Sequence, residues 1–145
     1  MKISSRGRYA LRFMIDLAQH ESGEAVTLKE VSTRQEISVK YLEQIVTLLN
    51  RGGLIRSVRG NQGGYLLARA AEDYTVGDIL RVVEGDLFPV ACMENEPNQC
   101  PRFAICKTIR FWDGLYKAVN DYVDSVTLAE IADEEPEDGC WAYTI

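Results

Sequence analysis

Residues 27–69, "TLKEVSTRQEISVKYLEQIVTLLNRGGLIRSVRGNQGGYLLAR", leave few ways to fold. They open on a capping box, Thr27 with Glu30, in which each side chain satisfies the other residue's backbone N–H. Leu28 and Val31 give that short helix its inward face. Ser38 is a good N-cap for a second run, where Leu42, Ile45, Val46 and Leu49 form an apolar stripe at helical spacing. Gly52-Gly53 then ends the helix. Two short apolar runs, "LIRSV" and "GYLLA", bracket a loop containing Gly60, Gly63 and Gly64, which predicts a hairpin. Two helices joined by a tight polar turn and followed by a hairpin make a helix–turn–helix with a wing.

The flanking segments extend this pattern. Upstream, "RYALRFMIDLAQH" repeats apolar residues at helical spacing, with so many of them that the helix must be largely buried. After Ala71, Thr75 and Asp78 form a second capping box ahead of a helix carrying Ile79, Leu80, Val82 and Val83. Residues 85–106 read as a loop with Cys92, Cys100 and Cys106. From Thr108 to Val126, Ile109, Trp112, Leu115, Val119 and Tyr122 recur at intervals of three or four. Such a long amphipathic helix lacks partner surface in so small a module, so Trp112, Leu115, Val119 and Tyr122 are expected to pack on a twin in a homodimer. Thr127 with Glu130 caps a short last helix. The expected fold is mainly α with a small β-wing: a winged helix–turn–helix plus a long dimerisation helix. The expected division is a DNA-binding domain at 1–71, a cysteine-loop and dimerisation region at 72–132, and an acidic tail at 133–145, in which Trp141 and Tyr143 could dock.

The glycine-rich loop has two chemical readings. A phosphate-binding loop needs a Lys followed by Ser or Thr and then a helix, and here "GGYLLA" follows instead. A wing needs small residues that let backbone approach a sugar–phosphate edge and a long cation for a narrow minor groove. Arg59 with Gly60, Gly63 and Gly64 meets both needs, and Arg56 stands on the strand before it. On the second helix of the pair, Ser38, Lys40, Tyr41 and Gln44 lie opposite the apolar stripe, where a recognition helix presents its first turn to the major groove. Gln44 suits adenine and Lys40 suits guanine or phosphate, while Glu43 suits cytosine N4 and would add discrimination rather than affinity. Ser4, Ser5, Arg6 and Arg8 at the start of the first helix are expected backbone clamps.

Charge separates the chain in the same place. Residues 1–70 carry 11 Lys and Arg against 6 Asp and Glu, and residues 71–145 carry 5 against 16. A basic half joined to an acidic half is the footprint of a polyanion-binding module tied to one that stays off the polyanion. No apolar run approaches the roughly 18 residues of a membrane span, and Asp16 interrupts the N-terminal apolar stretch, so a cytoplasmic protein is expected. Four cysteines then suggest metal or redox chemistry rather than a disulfide framework. The C-x7-C-x5-C spacing lacks the C-x2-C pairs that zinc prefers. Three loop thiolates suit an iron–sulfur cluster with one further ligand, of the 2Fe-2S or 4Fe-4S type. No nucleophile–base arrangement is apparent, and the single His stands far in sequence from every Cys, so an enzyme is not expected.

"MKISSRGRYALRFMIDLA", "ISVKYLEQIVTLLNRGGLIRSVRGNQGGYLLAR" and "TLAEI" resemble the Rrf-type winged-helix transcription regulators, from Met1 to about Ala132. The family includes IscR-, NsrR-, RirA- and CymR-like members. The resemblance implies a homodimer on a palindromic operator in double-stranded DNA, a long dimerisation helix and, in many members, a cluster on three loop cysteines; Cys92, Cys100 and Cys106 fall at those positions. The fourth ligand does not carry over. A His three residues after the third cysteine is replaced by Ile109, and an acidic residue near the start of the first helix is replaced by Arg8. Cys140, Glu94, Glu96 and His20 are the remaining candidates, with His20 also suited to a helix-terminus charge partner. The resemblance therefore implies a repressor controlled by an iron–sulfur cluster. The alternative is a cluster-free regulator answering to thiol state, an effector or a metabolic-enzyme partner.

Overall fold

The computed structural model describes residues 1–136; Cys140, Trp141 and Tyr143 lie outside the described residues. Helix α1 (Ser5–Gln19) begins at Ser4, whose hydroxyl accepts from the Gly7 amide. Helix α2 (Leu28–Gln35) carries the Thr27–Glu30 capping box, complete in both directions. Glu36 turns the chain through the left-handed region at φ 54°, and Ser38 then caps α3 (Val39–Arg51) by accepting from the Tyr41 amide at 3.2 Å. Strands β1 (Ile55–Val58) and β2 (Gly64–Leu67) pair antiparallel, with Ile55 opposite Leu67 and Val58 opposite Gly64. Helix α4 (Val76–Glu84) and helix α6 (Leu128–Asp133) have the other two capping boxes, and α5 (Ile109–Ser125) is the long helix.

The structure is therefore mostly helical with one two-stranded wing, as the pattern required. Its main core gathers Phe13, Met14 and Leu17 of α1, Val31 of α2, and Leu42, Ile45 and Leu49 of α3. Ile79 and Val83 of α4 and Leu128 of α6 are buried in the same cluster. Elements on either side of residue 71 thus share one core. A smaller cluster of Val76, Leu80 and Leu87 receives Val119 and Val123 from α5.

Two polar devices tie the elements together, one joining α1 to α2 and one holding the wing. Asp16 is fully buried on α1, and its carboxylate accepts from Arg34 at 2.7 and 3.0 Å and from Gln35 at 3.0 Å. Burial by itself would raise its pKa, but the hydrogen bonds from Arg34 and Gln35 and the Arg34 charge hold it below the usual carboxylate range. Tyr74, also fully buried, donates to the Leu54 carbonyl at 2.6 Å and accepts from the Ala68 and Arg69 amides. One phenol thus joins both ends of the wing to the start of α4.

Candidate nucleic-acid interface and cysteine segment

The three expected DNA-contacting elements differ in how free their side chains are. On α3, Ser38, Lys40, Glu43 and Gln44 are exposed while Leu42, Ile45 and Leu49 are buried, so the helix presents the polar side that a reading helix requires. Tyr41 is half-buried with its ring edge-on to Tyr9 at 5.6 Å, which fixes it against α1. Arg12 braces the same corner: its guanidinium lies 5.4 Å from the Tyr9 ring and donates to the Gln35 side chain and carbonyl. Sequence reasoning missed Arg12, because its partner is at the far end of α2.

In the wing, Arg56, Arg59 and Gly60 are exposed. Gly60 adopts φ 109°, and a side chain there would meet nothing within 4 Å. At Gly63 and Gly64 space also requires glycine, and Gly64 has in addition a positive φ of 155°. A Cβ on Gly63 would stand 2.6 Å from the Val58 carbonyl oxygen, and one on Gly64 only 2.4 Å from that of Val26. Tyr65 and Val26 exchange backbone hydrogen bonds of 2.8 and 2.9 Å, which draws Val26 against the wing. The space at these two glycines is filled by the protein's own backbone. Between α3 and β1, Thr47, Asn50, Arg51 and Ser57 line a cleft of about 300 Å³. At the start of α1, Ser5, Arg6 and Arg8 are exposed, whereas the Ser4 hydroxyl is engaged with Gly7 and Glu84.

The cysteine segment is built otherwise. Cys92 is exposed, and Cys100 and Cys106 are partly so. Asn98 organises the loop by donating to the Cys92 carbonyl and accepting from the Cys100 amide. The Cys106 thiol is held below its ordinary pKa by the Thr108 hydroxyl, then by the backbone of Thr108 and Ile109 and by the charge of Arg102. That is the direction a nucleophilic or metal-binding thiolate needs. Yet among the described residues no three His, Cys, Asp or Glu side chains are gathered as metal ligands, so the cysteine trio is not brought together. Glu94 and Glu96 are exposed in the same segment. His20 caps α1, its Nδ1 2.8 Å from the Asp16 carbonyl oxygen, and serves the helix end.

The four residues expected at the dimer seam divide between two sides of α5. Val119 packs toward α4 in the smaller core, and Trp112 meets Phe111 edge-on. Leu115 and Tyr122 are 36% and 70% exposed, and Phe111 is 64% exposed. Phe111, Leu115 and Tyr122 sit four and seven residues apart, so they share one apolar stripe that nothing among the described residues covers.

The sequence pattern of the Rrf2 family, described as iron-dependent transcriptional regulators, matches residues 3–134. The chain belongs to the Rrf2 family of transcriptional regulators. Protein rrf2 of Nitratidesulfovibrio vulgaris is 42% identical over 131 residues, covering 90% of this chain and 87% of that protein. Among solved structures, CymR, the global cysteine regulator of B. subtilis, superposes with a TM-score of 0.78 at 37% identity, covering 94% of this chain and 99% of that one. IscR of T. potens does so with a TM-score of 0.73 at 40% identity, covering 90% and 85%. As members of a family of regulators, these relatives place the chain among DNA-binding proteins rather than enzymes. Among the described residues of this Rrf2-family regulator, no helix is long and apolar enough to cross a membrane.

Proposed function

We propose that the chain is a cytoplasmic, homodimeric repressor that binds a palindromic operator and whose affinity is set at the cysteine segment. The observation that carries the operator reading is the exposed polar side of α3, whose opposite side is locked into the core. In this reading Ser38, Lys40 and Gln44 meet the major groove, Glu43 discriminates, Arg59 enters the minor groove, and Ser5, Arg6 and Arg8 hold phosphates. Arg59→Ala should weaken operator binding and flatten its salt dependence by about one phosphate-equivalent. Unchanged affinity in that variant, measured by titration at several salt concentrations, would remove the wing from the interface.

The dimer seam in this proposal runs through Phe111, Leu115 and Tyr122, because an uncovered apolar stripe on a helix is the surface a second copy can bury. Leu115→Asp should weaken the dimer by about 2 kcal/mol or more, a cost that follows from burying an unpaired charge. Sedimentation at falling concentration reads this out, and an intact tight dimer would place the interface elsewhere.

Two control mechanisms fit the segment. In the first, Cys92, Cys100 and Cys106 hold an iron–sulfur cluster, as the family's description and the donor chemistry support. Three accessible thiols, one already biased toward thiolate, are the right donors, and the cluster would supply iron sensitive to oxidants and nitric oxide. The arrangement described is not itself a ligand set, and positions 109 and 8 carry Ile and Arg. The Ile and Arg at those two positions, in place of a fourth ligand, support the second mechanism, a cluster-free regulator switched by thiol state, an effector or a partner enzyme. Anaerobic reconstitution with iron and sulfide, followed by visible absorption, iron content and operator titration, separates them. Stoichiometric iron with altered operator affinity supports the first; no bound iron leaves the second.

A further inference from the structure

A helix N-terminus offers unpaired backbone N–H groups and the positive end of the helix dipole, so it attracts an anion. At the start of α1 that anion comes from inside the protein. Glu84, the last residue of α4, accepts from the Gly7 amide at 2.9 Å and from the Ser4 hydroxyl. Gly7 is buried, and a Cβ there would stand 2.5 Å from Glu84 Oε1 and 2.9 Å from Ile3 Cγ2. Glycine is therefore what allows α1 to close onto the carboxylate. On the outer side, Ser5, Arg6 and Arg8 are exposed, and Arg8 donates to the Ser5 hydroxyl at 3.2 Å.

Helix α4 is fixed from other directions as well. Its Arg81 donates to both carboxylate oxygens of Asp124 on α5, at 2.8 and 2.9 Å, and to Asn120 at 2.6 Å. Its Val82 lies where a Cβ on Gly52, at the end of α3, would meet it at 2.7 Å. One helix thus touches the start of α1, the end of α3 and the long helix α5.

We infer that Glu84 is a positioning residue for DNA binding. By occupying the anion-binding end of α1, it fixes the direction in which Ser5, Arg6 and Arg8 leave the helix, and it leaves DNA phosphates to those side chains rather than to the helix amides. The inference rests on the reading of this segment as a backbone clamp. Without the carboxylate, the Gly7 amide keeps only the Ser4 hydroxyl, at 3.3 Å, and the positive end of α1 opens to any phosphate, while the side chains lose the orientation that matches one operator. Glu84→Gln keeps an oxygen acceptor in the same place and removes the charge; Glu84→Ala removes both.

The test titrates an operator duplex and an unrelated duplex at several salt concentrations, using the wild type, Glu84→Ala, Glu84→Gln, Arg8→Ala and the Glu84→Ala/Arg8→Ala double variant. Glu84→Ala should lower the ratio of operator to unrelated affinity by about tenfold, and Arg8→Ala should cost less in that background than in the wild type, as coupled groups do. Glu84→Gln should recover most of the ratio. A residue that only stabilises the fold would lower the melting temperature and leave the ratio unchanged in the folded protein; that result overturns the inference. Should Glu84→Ala fail to fold, Gly7→Ala displaces the carboxylate instead, and an unchanged ratio in folded Gly7→Ala overturns it equally. If Arg8→Ala changes neither affinity nor salt slope in the wild type, the clamp reading fails. If Arg8→Ala weakens the wild type but Glu84→Ala keeps full discrimination, only the role of Glu84 fails.

Discussion

The chain up to Leu87 and the stretch from Phe88 to Thr127 are held by different means. In the first, every element places residues in a core, and the one buried charge, Asp16, is matched by Arg34 and Gln35. In the second, no residue is buried. Its contacts are partial: Phe88 stacks on Tyr116 at 4.7 Å, Val119 and Val123 lean on α4, and Arg81 reaches Asp124. The difference bears on the proposed division of the molecule between operator reading and control. A reading head must hold its side chains in fixed positions, so it belongs on packed elements. A controlled segment must have more than one arrangement within reach, so it belongs where little burial would be lost.

The largest expected effect lies in the packed half. Phe13 is fully buried and meets the Tyr65 ring edge-on, so Phe13→Ala should destabilise the fold by about 4 kcal/mol through lost burial and the cavity left behind. Denaturant unfolding measures this, and a loss below about 1 kcal/mol would show that the core rearranges far more freely than its packing implies.

Asp16→Asn comes next, at about 3 kcal/mol near neutral pH, because it leaves Arg34 without its buried partner. The pH dependence follows with a definite sign. The folded pKa of Asp16 is depressed, as are those of Glu30, Asp124 and Glu130 through their hydrogen bonds. Their stabilisation is fully present above the ordinary carboxylate range and is lost as pH falls through the folded values. Melting temperature should therefore drop on acidification below about pH 4, and the drop should be shallower in Asp16→Asn. An equally steep fall in the variant would assign acid sensitivity to the other carboxylates.

The smallest effect should come from the open half. Cys100→Ala removes a partly exposed thiol that belongs to neither apolar cluster, and should change stability by no more than about 0.5 kcal/mol. In the cluster reading it should also abolish iron binding after reconstitution while the dimer persists. A marked loss of stability in the protein without iron would erase the contrast between the halves.

Much of the fold was legible because its signals are local. Each of the capping boxes Thr27–Glu30, Thr75–Asp78 and Thr127–Glu130 forms across three residues, and each starts a helix where it was read. The polar side of α3 follows from its apolar stripe for the same reason. The candidate site was legible as a set of residue types and illegible as a set of contacts. Ser4 reads as a residue for phosphate, and what the sequence does not show is that Glu84, 80 positions away, meets its hydroxyl. Val119 reads as part of an outward seam, and what the sequence does not show is that it leans, partly buried, on α4. Gly64 reads as room for DNA, and what the sequence does not show is that the Val26 carbonyl lies against it.

The sequence alone determined what short-range physics decides: helix starts and stops, the wing hairpin, the polar side of α3, the charge division and the three cysteines within one loop. Each depends on neighbours within a turn or two, where chain geometry fixes who can meet whom. Only the tertiary structure decided that Asp16 is a buried tie, that Tyr74 joins the wing to α4, that Glu84 caps α1 and that the cysteines stand apart. The first three outcomes depend on groups 18 to 80 residues distant meeting at one point, and the positions of such groups are set by the packing of whole helices.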